Sequence, residues 1–218
     1  MPFRAALFDL DGTMLETDHL HEGIFRDLLA PRGIHVDTPF YMAHIHGRLN
    51  EDMFAELLPD EPDPRALSEE KEARFRAILP RPYPPAPGLP AFLDRVEGAG
   101  WVMAVVTNAP RPNAEAMMAA IGVETRIPVL VVGEECARGK PAPDPYAAAC
   151  ERLGVAPAEA VAFEDSPSGL RSAAAAGCHV VGVRSALTDA ALRAEGAALT
   201  VADFTDPALN ALFAEDPT

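Results

Sequence analysis

Two aspartates stand two residues apart in Asp9-Leu10-Asp11-Gly12-Thr13, directly after the apolar run Ala5-Ala6-Leu7-Phe8. In extended backbone such residues share a side, and a turn beginning at Gly12 can redirect the second. Carboxylates this close repel each other, and a divalent cation relieves the repulsion. In different environments, one carboxylate can attack an electrophile while the other manages a proton. The same string also reads as a strand-to-turn junction with a helix-capping Asp.

Three later strings carry related chemistry. Thr107-Asn108 follows Val105-Val106, offering a hydroxyl, an amide and backbone N–H groups to phosphate oxygens. Thr and Asn are also ordinary turn residues. Lys140 lies in Arg138-Gly139-Lys140-Pro141-Ala142-Pro143-Asp144, where two prolines and a glycine fix the loop around one ammonium. Held there, it can neutralise a carboxylate and a phosphoryl group; a solvated loop lysine is the alternative. Glu164-Asp165-Ser166-Pro167-Ser168-Gly169 ends another apolar run. Adjacent buried acids are costly without a cation, and oxygen ligands suit Mg²⁺. Asp or Ser of that string can equally cap the helix that follows.

These strings need a scaffold that brings their ends together. Short apolar runs at 5–8, 101–106, 127–132, 160–163 and 179–183 each stop at a turn or polar residue. They read as buried parallel strands. Helical stretches lie between them at 89–99, 112–121, 145–153 and 168–176. The alternation predicts an α/β fold with a parallel sheet, whose ligands bind at the carboxyl ends of the strands. Residues 15–81 show no clear strand and read as helices over 18–30, 51–58 and 68–79, the last starting at Ser68. Residues 59–64 read as a loop. Pro80, Pro82, Pro84, Pro85 and Pro87 then form a stiff, non-helical linker.

Composition narrows the function. Apolar residues make up 49% of the 218, enough for a full core. A formal net charge of −15 disfavours a nucleic-acid partner, so a phosphate substrate must be drawn by local positive charge or a metal. No apolar run is long enough for a membrane helix, and the first residues do not resemble a secretory signal, so a cytoplasmic protein is expected. Cys136, Cys150 and Cys178 lack metal-site or disulfide spacing and are expected to be buried thiols.

Taken in order, the DxDGT strand end, the Thr strand end, the loop Lys in GKPxP and the EDSxxG strand end resemble the haloacid dehalogenase-type phosphohydrolase superfamily. The likeness spans essentially the whole chain and is nearest the branch with a helical cap after strand one, β-phosphoglucomutase-like enzymes included. It implies a Rossmann-like core, residues 1–14 and 84–218, with an inserted helical cap, residues 15–83. It implies a Mg²⁺-dependent phosphatase acting on a small sugar or polyol phosphate, with a sugar phosphomutase as the alternative. A monomer is expected.

The resemblance also implies roles. Asp9 is the nucleophile and Asp11 the general acid/base. Thr107 and the backbone N–H of Asn108 bind the phosphoryl group, and Lys140 stabilises its charge. Asp9, the Asp11 backbone carbonyl, Asp165 and Glu164 hold Mg²⁺. In the cap, His21, Lys71 and Arg48 are the substrate contacts, with His46-Gly47-Arg48 resembling a specificity loop. The mutase carries its specificity Arg two residues further on, where this chain has Asn50.

Overall fold

Alternation of buried apolar runs with helices gives six strands, all parallel, in the computed structural model, which describes residues 3–45, 48 and 50–214. They are β1 (Ala5–Phe8), β2 (Val102–Thr107), β3 (Val129–Val132), β4 (Ala160–Glu164), β5 (His179–Val183) and β6 (Leu199–Val201). Their order is β3-β2-β1-β4-β5-β6. The helices are α1 (Asp18–Leu29), α2 (Thr38–His44), α3 (Asn50–Leu57), α4 (Pro64–Ile78), α5 (Leu89–Gly98), α6 (Arg111–Ile121), α7 (Asp144–Leu153), α8 (Pro167–Ala176) and α9 (Asp189–Ala194). Successive strands lead outward from β1 to β2 and β3, then resume at β4 on its other side. This reversal beside β1 opens a crevice at the carboxyl edge.

The pleat decides what each sheet face carries. Ala5 and Leu7 of β1 pack with Ala104, Val106, Ala160 and Ala162 against Tyr146 and Ala149 of α7 and Leu170 of α8. Phe8 points the other way and stacks on Phe163, their centroids 5.0 Å apart, with Phe92 of α5 set edge-on to both. Both faces are therefore covered, which is why β1 and β4 are apolar along almost their whole length. By the same alternation, Asp9 and Glu164 continue the face that α7 covers.

Contacts divide the chain into two units. One comprises residues up to Glu16 with those from Arg81 onward; the other is Thr17–Pro80. The second unit is helical: α1 and α3 each pack on α4, around Phe25 and Phe54 at 5.9 Å between centroids. Helix α4 begins earlier than the expected Ser68. Asp63 accepts a hydrogen bond from Ala66 N–H at 2.9 Å and Pro64 occupies the first turn, a strong helix start. Helix α2 arises the same way, from Asp37 capping Phe40 N–H ahead of a first-turn Pro39. It was not expected from the sequence, and neither were α9 and β6. Among the described residues no helix is long and apolar enough to cross a membrane. Cys150 is buried as expected, but Cys136 and Cys178 are half-buried at element ends.

Candidate active site

Strand register brings the chemistry-bearing strings to one edge. Phe8 pairs with Val105 on one side and Phe163 on the other. Asp9, one residue beyond Phe8, thus emerges level with Val106, one residue before Thr107 at the end of β2, and with Glu164, the last residue of β4. The Asp9 N–H donates to Phe163 O at 2.9 Å, extending the ladder by one rung.

Lys140 reaches this edge from its proline loop and is 8% exposed. Its Nζ donates to Asp9 Oδ1 at 2.5 Å, Glu164 Oε1 at 2.6 Å and Val106 O at 2.8 Å. Three acceptors use the three ammonium protons, so its direction is set. The loop is held in turn by Asn108. Its Nδ2 donates to Lys140 O and its Oδ1 accepts from Lys140 N, both at 3.1 Å. This amide, one of the groups the sequence offered to phosphate oxygens, is therefore spent on the lysine loop. A Cβ at Gly133 would stand 2.1 Å from Asn108 Oδ1, so only glycine leaves room for the clamp. Thr107 is buried, and its Oγ1 accepts from Ala109 N–H at 3.1 Å, which leaves the hydroxyl proton to donate.

The acidic side is built around Asp165. Its Oδ1 accepts from Thr13 Oγ1 at 3.3 Å and its Oδ2 from Ser185 Oγ at 2.6 Å. Gly12 passes so close that a Cβ there would lie 2.2 Å from Asp165 Oδ2, and its φ of +81° favours glycine for a second reason. Asp11 is half-buried in the same turn, its backbone bridging to Leu15. Ser166 Oγ caps Gly169 N–H at 3.1 Å and so starts α8, which leaves Asp165 free of capping duty.

Ligand oxygens of Asp9, Glu164 and Asp165 lie within 4.8 Å of one another. Burial raises Asp9 well above the ordinary carboxylate value, and Lys140 only partly offsets it. Burial, then the charge of Glu164, with a lesser push from Asp11, raises Asp165 to about 7. Burial alone would pull the Lys140 ammonium down, but Asp9 and Glu164 hold it above its ordinary value. The pocket thus holds more negative charge than its one ammonium offsets. All-oxygen donors with surplus negative charge fit a hard divalent cation such as Mg²⁺.

Thr13 stands in the DxDGT string but has no role assigned from the sequence, and Ser185 and Tyr146 were not singled out at all. Tyr146 is fully buried and its hydroxyl donates to Glu164 Oε1 at 2.8 Å. Burial, aided by the Glu164 charge, keeps its phenol well above the usual value, so it stays a proton donor. An aromatic in an amphipathic helix reads as core, and nothing in its spacing marked it otherwise.

In the other unit, Lys71 and His21 fall in one cluster. Lys71 Nζ donates to Glu72 Oε1 at 2.9 Å and lies 5.2 Å from the Phe25 ring centroid. Asn50 Nδ2 donates to the same Glu72 oxygen at 2.6 Å and to Ser68 Oγ at 3.2 Å. His21 stacks on Phe75, with centroids 4.3 Å apart. Arg48 lies elsewhere: it is exposed, donating to Glu56 at 2.6 Å and His44 O at 3.1 Å. His46 and Gly47 of the expected specificity loop lie outside the described residues.

Fold and site together define an α/β protein with an acidic, lysine-bearing centre at the switch point of a parallel sheet. Residues 3–177 match the model of the haloacid dehalogenase-like hydrolases, and the chain belongs to that family. It is 31% identical to Protein CbbY of Rhodobacter capsulatus, over 97% of this chain and 96% of that protein. It is 32% identical to fructose-1-phosphate phosphatase YqaB of Escherichia coli (strain K12), over 84% of this chain and 97% of that one. The crystal structure of CbbY from Rhodobacter sphaeroides in complex with phosphate superposes with a TM-score of 0.78 at 30% identity, covering 93% of this chain and 95% of that chain.

Proposed function

We propose that this chain is a cytoplasmic, monomeric, Mg²⁺-dependent phosphatase that hydrolyses a small sugar or polyol phosphate through an aspartyl phosphate on Asp9. The observation that carries the proposal is the Lys140 ammonium, held at once against Asp9 and Glu164 at the edge where Thr107 and Asp165 also emerge. A buried carboxylate beside a fixed ammonium is equipped to attack an anionic phosphorus centre.

Asp9 attacks phosphorus in line, forming an oxygen–phosphorus bond as the ester bond to the alcohol breaks. Asp11 gives its proton to the departing alkoxide. Asp11 then takes a proton from water, whose oxygen displaces the Asp9 carboxylate and releases phosphate. Thr107 and the backbone N–H of Asn108 donate to the phosphoryl oxygens, and Lys140 offsets their charge. Asp9, Asp165 and the Asp11 carbonyl are the groups that would hold Mg²⁺. When bound, the ion supplies further charge neutralisation at the phosphoryl oxygens. Three free thiols accord with a reducing cytoplasm, and a net charge of −15 with a soluble monomer.

Residues 17–80 are proposed to read the rest of the substrate. Their buried Lys71 is already neutralised by Glu72, and Asn50, standing where the resembling mutases have an Arg, is uncharged and turned onto Glu72. Such a cluster suits hydroxyl groups better than a second phosphate. That supports a phosphatase over a mutase, which must recognise a bisphosphate. The relative named as a fructose-1-phosphate phosphatase supports the same reading.

The test is phosphate release from an aryl phosphate and a panel of sugar and polyol phosphates, with Mg²⁺ and with chelator. Release is expected only with Mg²⁺ and without a bisphosphate activator. Asp9→Asn is expected to abolish it while leaving the fold intact. Turnover by Asp9→Asn above a few per cent of wild type would refute the nucleophile assignment.

A further inference from the structure

Alternation along β4 sends Glu164 to the sheet face covered by α7, above Ala160 and Ala162. There Tyr146, in the first turn of α7, donates to Glu164 Oε1, the oxygen that also takes Lys140 Nζ. The Tyr146 ring lies beside the same ammonium, its centroid 5.2 Å from Nζ. The other carboxylate oxygen, Oε2, accepts from Ser166 Oγ at 3.2 Å and from Ser166 N–H at 3.4 Å. A Cβ on Gly169 would lie 1.8 Å from Oε1, so the start of α8 closes the remaining side. Glu164 has no exposed surface, whereas Asp9 and Asp165 each keep 8%.

A metal ligand must turn a lone pair toward the ion. Asp165, with one donor on each oxygen, keeps lone pairs for an ion, whereas Glu164 takes two donors on each oxygen and so has the arrangement of a counter-charge. We propose that Glu164 serves as the counter-charge that aims Lys140 at Asp9, and that Tyr146 is a positioning residue holding Glu164 to that task. The inference rests on the phosphatase reading, in which Lys140 stabilises the transferring group. Phenylalanine at 146 would keep the ring but leave Glu164 Oε1 to Lys140 alone. The ammonium would then be drawn toward Glu164 and away from Asp9.

The experiment measures kcat, KM and inhibition by orthovanadate, which adopts the five-coordinate geometry of the transferring group. For Tyr146→Phe, kcat is expected to fall about ten-fold and the vanadate Ki to rise by a similar factor, with KM within about two-fold of wild type. A purely structural role would not produce that split. Wild-type kcat, or a kcat loss with unchanged vanadate affinity, would overturn the assignment. Glu164→Gln, altering the same chain at its centre, is the second variant. Its Mg²⁺ affinity, read by calorimetry without substrate, is expected to fall by less than about a hundred-fold, the range for a neighbouring charge that is not itself a ligand. A larger loss would make Glu164 a ligand and overturn the proposal. Wild-type enzyme inactive on every phosphate would remove the phosphatase reading itself, and this assignment with it.

Discussion

Replacing Asp165 with Asn should stabilise the metal-free protein at neutral pH, although Asp165 lies at the centre of the proposed ion site. The carboxyl is almost fully buried and sits next to Glu164, which raises it from 3.8 to about 7. A group whose folded value lies above its unfolded value stabilises the fold at low pH and loses that contribution as pH rises through the folded value. The window here runs from about pH 4 to about pH 7. Roughly three units at ~1.4 kcal/mol each put the loss at about 4 kcal/mol. Asn has nearly the same shape, keeps polar atoms facing Thr13 and Ser185, and does not titrate. The assay is urea denaturation in chelator across this range, followed by fluorescence of Trp101, the one tryptophan, which stacks on Phe213 in the same unit. Asp9 shifts in the same direction, so the diagnostic quantity is the difference between the two proteins. They should be nearly equal in stability at pH 4 and separate by about 3–4 kcal/mol at pH 7.5, with the Asp165→Asn protein the more stable. Mg²⁺ should close the gap by stabilising wild type alone. Parallel pH curves would refute the claim that the cluster carries uncompensated negative charge.

Gly133→Ala forces a Cβ against the Asn108 amide and should loosen the Lys140 loop. We expect a stability loss of about 1–3 kcal/mol by thermal denaturation and a fall in kcat, and wild-type values for both would contradict the clamp. Glu72→Gln leaves Lys71 with uncompensated charge, so the ratio of kcat/KM for a sugar bisphosphate over the matching monophosphate should rise about five-fold or more. An unchanged ratio would separate this cluster from substrate choice.

The sheet was legible because strands covered on both faces read as unbroken apolar runs, as in residues 5–8 and 160–163. Strand Leu199–Val201 spans only three residues at the sheet edge and carries too short a pattern to announce itself. The start of α4 was misplaced because Asp63-Pro64 ends a proline-marked stretch that reads as loop. An Asp cap followed by Pro is instead a helix start. Asp9, Glu164 and Asp165 were found because charged residues at the ends of apolar runs stand out, and Lys140 because a glycine and two prolines frame it in its loop. Ser185 and Tyr146 did not stand out, since a hydroxyl after a strand and a ring in a helix are each commonplace. Only the fold brings them against the acids.

The chain leaves the sheet unit after Glu16 and returns to it at Arg81. The acids, hydroxyls and ammonium gathered at the sheet edge all come from that outer part, so the interior stretch supplies none of them. On the proposed reading, changes within that interior stretch would alter which phosphate is taken and leave the reacting groups themselves untouched.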